Sequence, residues 1–195
     1  MMEKEHIPDK FDHLYRVISD AGFRRGDALG GEIPFHICSY HPAQETEVAP
    51  AIDALVRKLT SEGLQVHVFN LYDLMLDILS EELGEGVVFE LEQDMPQEEL
   101  KDAIQSTLDI SEVLMPRIAA QVQEVQAEVY FLTGIGLVYP IIRSHNILNN
   151  LHHIITGAPL IAFFPGTYNG ETLELFGLLK DDNYYRAFMI DKHTL

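Results

Sequence analysis

The sequence predicts an α/β fold: a Rossmann-like or P-loop-like three-layer sandwich, with a mainly parallel sheet of four to five strands and a helical insertion. Three observations predict it. Short apolar runs rich in β-branched and aromatic residues alternate with stretches whose apolar residues recur at the helical period. Parallel strands need crossover helices, and that alternation supplies them. At 195 residues, with 47% hydrophobic and 23% charged residues, the chain can bury one full core and no comfortable second one. A single domain over 1–195 is expected, in which about 84–127 forms an acidic loop and helical insertion.

Each element follows from its local pattern. Phe11, Leu14, Tyr15 and Ile18 mark one face of a first helix. Gly22, Gly26, Gly30 and Gly31 are expected to break regular structure before a first strand, Ile33 to Tyr40, a short and mostly apolar run. Val48, Ala51, Ile52, Leu55, Val56 and Leu59 keep the helical period between 44 and 61, and Gly63 ends it. Leu64 to Phe69 alternates as a second strand. Leu71, Leu74, Met75, Ile78 and Leu79 resume a helical stripe at once. Residues 84–96, with Gly84, Gly86 and Pro96 among many acids, read as a loop. Helices are expected over 97–107 and 111–125, a third strand over 128–133, a helix over 140–155 with Pro140 in its first turn, and a fourth strand over 160–164. A fifth strand is expected at 186–190.

Thirteen Lys and Arg against 31 Asp and Glu give a net charge of −18, which repels phosphate backbones and anionic lipid and argues against direct nucleic-acid binding. The acidity is uneven: Asp73 to Glu128 contains fifteen acids but only Lys101 and Arg117 as bases. The lone Cys38 cannot form an internal disulfide, no secretory pattern occupies the first thirty residues, and no apolar run approaches the ~20 residues of a membrane span. A cytoplasmic protein is expected.

In an open parallel sheet, ligands collect outside the carboxyl ends of the strands. Four groups fall there: Ser39-Tyr40-His41, Asn70 with Asp73, Thr133 to Gly136, and Pro165-Gly166-Thr167. The third would place strand, glycine turn and helix start in the layout that binds anions, with Thr133, Gly134, Gly136, Arg143 and His145 as its residues. No further glycine completes a dinucleotide fingerprint, and no Gly-Lys-Ser/Thr makes a P-loop. The polar residues of that helix, Arg143, Asn146, Asn150 and His153, read equally as a solvent-facing stripe. His36, Cys38 and His41 fall on different sides of their strand, so no metal is expected, and Cys38 reads as inert core. Lys180 to Arg186, with Tyr184, Tyr185 and Arg186, carries the residue types enriched at protein interfaces, though a tight turn would use the same residues. No complete catalytic constellation is legible, and the expectation is a non-enzyme without cofactor.

Several segments together resemble the BrxB family of bacteriophage-exclusion (BREX) systems: Gly31-Glu-Ile-Pro-Phe35, Asn70-Leu-Tyr-Asp-Leu74, Leu132-Thr-Gly-Ile-Gly136, Tyr139-Pro140, Arg143-Ser-His145 with Leu148-Asn-Asn-Leu151, Phe163-Phe-Pro-Gly166 and Leu179 to Arg186. The resemblance spans most of the chain and is weakest over 84–109. It implies a small, non-catalytic component of a phage-defence system, acting as an adaptor. Its implied partners are an alkaline-phosphatase-like protein first, then a large ATPase or a DNA adenine methyltransferase. The alternative is a nucleotide- or phosphate-sensing domain built on the 133–136 turn.

Overall fold

The computed structural model describes residues 3–27 and 35–193. Its centre is a parallel ladder in the order β2 (Val66–Asn70), β3 (Val129–Thr133), β4 (Leu160–Tyr168), β1 (Phe35–Tyr40) and β7 (Phe188–Met189). Side chains alternate across it. Cys38, Tyr40, Phe131, Ile161 and Phe163 face α1 (Ile7–Ser19), α2 (Ala21–Arg25) and α3 (Glu45–Ser61); Ile37, Tyr130, Leu132, Ala162 and Phe164 face α4 (Leu71–Leu83), α6 (Gln97–Thr107), α7 (Met115–Val125) and α8 (Ser144–Ile154). Strands buried on both faces read as continuous apolar runs, which is why β3 and β4 stand out in the sequence. The three-layer α/β architecture is as predicted.

Four differences have physical causes. The stretch 21–25 is a short helix despite Gly22, because the Asp20 carboxylate caps it by accepting from Phe23 N at 2.7 Å. Residues Val87–Asp94, expected as loop, form α5, in which Val87, Val88 and Leu91 are half-buried and none is fully buried. The helix expected from Pro140 starts at Ser144: residues 135–142 make turns, Tyr139-Pro140 is cis, and the Gln105 amide donates to the carbonyls of Pro140 and Ile141 at 3.4 and 2.9 Å, which a helix would spend on residues 144 and 145. Finally, β4 runs on past Phe164 into a hairpin with β5 (Leu173–Leu175) and β6 (Leu179–Asp181). Gly30, Gly31, Ile33 and Pro34 lie outside the described residues.

The chain is pinned by a buried charge cluster. Lys10, on α1, reaches Glu5 at 2.5 Å and Asp191 at 2.9 Å with its side chain 6% exposed, and Gln44 bonds both backbone groups of Glu5. The N-terminal segment, α1 and the turn at 190–192 are thus held against β1. Among the described residues, no helix is long and apolar enough to cross a membrane.

Candidate functional site

The strand order makes a crevice. The chain leaves β1 toward the α3 face and β2 and β3 toward the other, so the strand ends splay where a doubly wound sheet binds ligands. A cleft of about 510 Å³ opens there, lined by Tyr40, Asn70, Asp73, Thr133 and Gly134 from the strand ends and by Glu45, Asp53 and Arg57 from α3. Three of the four anticipated groups contribute to it. The fourth does not: Pro165 pairs with Tyr40 in the ladder, Gly166 pairs with Leu175, and the Thr167 hydroxyl donates to Glu174 at 3.2 Å. His41 is also occupied, its Nδ1 accepting from Ala43 N at 3.1 Å.

The strand, glycine turn and helix start expected at this cleft are not contiguous. No helix starts at the 133–136 turn; α8 begins ten residues beyond Gly134. Gly134 is required instead by packing. Its φ is +74°, and a Cβ there would lie 2.6 Å from Asn70 Oδ1 and 3.1 Å from Tyr72 N, the acceptor and donor that cap α4. Gly136 likewise lies flat against Pro165 and Phe176. Glu45, Asp53 and Asp73 outnumber Arg57, so the lining of the cleft is net negative. The Tyr40 hydroxyl donates to Glu45 at 2.5 Å, and burial and that carboxylate push its pKa far up, leaving it a neutral hydrogen-bonding group.

Arg143 and His145 line a second cleft, of about 400 Å³, with Tyr139, Ser144, Leu178, Leu179 and Lys180 to Asn183. Here the structure joins the helix start to the 180–186 segment, which the sequence left apart. His145 Nδ1 lies 3.5 Å from Asp181 Oδ2, the same oxygen that accepts from the Tyr185 hydroxyl. Burial would raise the Asp181 pKa, but hydrogen bonds from Tyr185 and Asn183 and the nearby His145 outweigh it and hold the carboxyl below the usual range. Asp181 therefore faces His145 as an anion. Ser144 is the hydroxyl beside it, and among the described residues no hydrogen bond joins the two.

The tail residues divide. Tyr185 is 3% exposed, with its carbonyl accepting from Tyr168 at 2.9 Å; it is core, not a contact. Tyr184 is 68% exposed and Arg186 lies at the surface. Sequence reasoning missed their apolar neighbours: Leu178 is 80% exposed at the tip of the β5–β6 hairpin, with Leu179 and Tyr139 partly exposed. The available signal was Gly177-Leu-Leu-Lys180, paired leucines directly after a turn glycine. Cys38 is buried and its thiol is pushed up by burial, and no group of three or more metal-ligating side chains exists among the described residues.

Fold and clefts define a class: an acidic, doubly wound α/β domain whose sheet is extended by an apolar-tipped hairpin. The chain belongs to the BrxB family, whose profile, described as BREX protein BrxB, matches residues 67–190. It is 41% identical over 191 residues to the BREX protein BrxB of Bacillus cereus (strain H3081.97), covering 95% of this chain and 98% of that one. It is 29% identical over 185 residues to the BREX protein BrxB of Escherichia coli O9:H4 (strain HS), covering 95% and 92%. No solved structure matches it.

Proposed function

We propose that this BREX protein is an adaptor: it contributes no chemistry of its own to phage defence and docks a larger partner of the system, the alkaline-phosphatase-like protein before the large ATPase or the methyltransferase. The observation that carries the reading is the hairpin surface. Leu178, 80% exposed, lines a cleft holding Arg143, His145 and Lys180, and Tyr184, the residue after Asn183 of that lining, is 68% exposed. Exposed apolar and aromatic groups rimmed by charge mark surfaces that lose water on association, and Tyr and Arg are enriched among the residues that dominate binding.

The acidic strand-end cleft supports the same reading, since its carboxylates and neutral Tyr40 suit a cationic side chain better than a nucleotide. The test replaces Leu178 by Ser and Tyr184 by Ala together. Both are exposed, so folding is expected to survive, while affinity for the co-purified partner falls at least roughly tenfold. An unchanged complex would remove the hairpin as the interface. Failure of every large BREX protein to bind the wild-type chain would remove the adaptor reading itself.

A further inference from the structure

A third depression lies on the helical insertion, next to the cleft that holds Tyr139 and Arg143. It holds about 470 Å³ between the end of α5, α6 and the 140–141 turn. Its apolar lining is Met95, Leu100, Ile104, Pro140 and Ile141, and its polar lining is Glu92, Gln97, Glu98 and Lys101. Gln105 ties α6 to the 140–141 carbonyls, so the two walls are fixed to each other. Phe89, 66% exposed, sits one helical turn before Glu92 on α5 and prolongs the apolar surface.

Two further features narrow what could occupy it. Between Asp73 and Glu128 lie fifteen acids against two bases, so thirteen of the eighteen net negative charges fall in this segment. Both bases are already neutralised: Lys101 pairs with Glu98, and Arg117 forks onto Glu81. The two helices that wall the groove carry Glu90, Glu92, Asp94, Glu98, Glu99 and Asp102 against Lys101, so positive charge outside its apolar contacts suits an occupant. The walls are helices and a turn with no strand edge among them, so an extended segment would bury backbone groups unpaired, whereas a helix satisfies its own.

We propose that this groove docks an amphipathic basic helix of a protein partner, apolar side chains inward and Lys or Arg toward the acidic rim. The proposal stands apart from the hairpin interface, and its test needs no BREX protein. The probe is a fluorescein-labelled helical peptide of about five turns, made of leucine and lysine with the leucines along one face. Its control has the same composition with the leucines scattered around the helix.

Fluorescence anisotropy against the full chain is expected to show the one-faced peptide binding at least roughly tenfold more tightly than the control. Phe89→Ala, at an exposed position, and Ile141→Ser, at a half-exposed one, are each expected to weaken that binding several-fold while far-UV circular dichroism is unchanged. Equal affinity for the two peptides, including none for either, overturns the proposal. So does a preference for the one-faced peptide that survives both substitutions, since binding would then rest on surface charge elsewhere.

Discussion

Gly134→Ala separates the packing account of the 133–136 turn from a ligand-binding one, and its cost can be worked from the structure. The residue sits at φ +74°, where an added Cβ costs about 1–2 kcal/mol in backbone energy. That Cβ would also lie 2.6 Å from Asn70 Oδ1, displacing the side chain that accepts from Tyr72 N at 3.1 Å and Asp73 N at 3.5 Å. Losing a helix cap adds about 1 kcal/mol. The sum is about 2–3 kcal/mol, or a fall in Tm of roughly 5–10 °C for a domain of this size. Gly63→Ala is the control: its φ is +93°, yet nothing lies within 4 Å of the added Cβ, so only the backbone cost applies. The assay is urea unfolding of the two variants, of Asn70→Ala, and of the Asn70→Ala/Gly134→Ala pair. The cap should be lost only once, giving a coupling of about 1 kcal/mol. The reasoning is refuted if Gly134→Ala costs no more than Gly63→Ala and the double mutant is additive.

Other perturbations test the core and the tail. Lys10→Met leaves Asp191 and Glu5 without their shared cation and should cost about 2–4 kcal/mol in chemical denaturation, below the figure for a fully enclosed pair because both acids keep some water. Burial alone would lower the Lys10 pKa, but the neighbouring Cys38 and Asp191 and the hydrogen bonds to Glu5 and Asp191 outweigh it and raise it; its stabilisation is complete below lysine's ordinary value of about 10.4 and is lost as pH rises beyond it. The wild-type chain should therefore lose stability more steeply above that value than Lys10→Met, in which the buried Tyr40, Tyr185 and Cys38 still contribute an alkaline loss. His36, with both ring nitrogens unpartnered and the ring against Phe23 and Phe188, is pushed down to about 3 by burial, with His193 adding to the fall. The unfolded chain then binds the proton first, so stability is full above pH 6.5 and falls by about 2–3 kcal/mol by pH 4.5, a loss that thermal melts of His36→Leu should not show. Tyr185→Ala should lower Tm by several degrees through lost burial and the lost bond to Asp181, whereas Tyr184→Ala should leave Tm within about a degree.

The contrast between these two tyrosines shows where the sequence was informative. Layer order, parallel pairing and most elements are legible because β1, β3 and β4 are buried on both faces and most helices carry a period of their own, as in Phe131 and Phe163 or Val48 to Leu59. Long-range packing was not. Whether Tyr184 or Tyr185 faces inward depends on Tyr168 and Asp181, both brought in by the hairpin. The start of α8 was misplaced because Gln105, thirty-six residues upstream of Ile141, takes the carbonyl that would have begun the helix. Thr133 and Gly134 were placed correctly at the strand ends, but their separation from Arg143 and His145 into different clefts follows from that same displaced start. Phe89 carries no such signal, since a lone exposed apolar residue looks in sequence like any core position, whereas Leu178 has only the turn glycine before its leucine pair.

The central claim is that this chain works by docking a larger BREX protein through its hairpin surface. The direct measurement is size-exclusion chromatography with light scattering of the purified full chain mixed, at moderate salt, with each large protein of its BREX system in turn. The account predicts a stable complex with the alkaline-phosphatase-like component, and its loss in the Leu178→Ser/Tyr184→Ala variant. Elution of every mixture as separate species, or a complex indifferent to that variant, would contradict it.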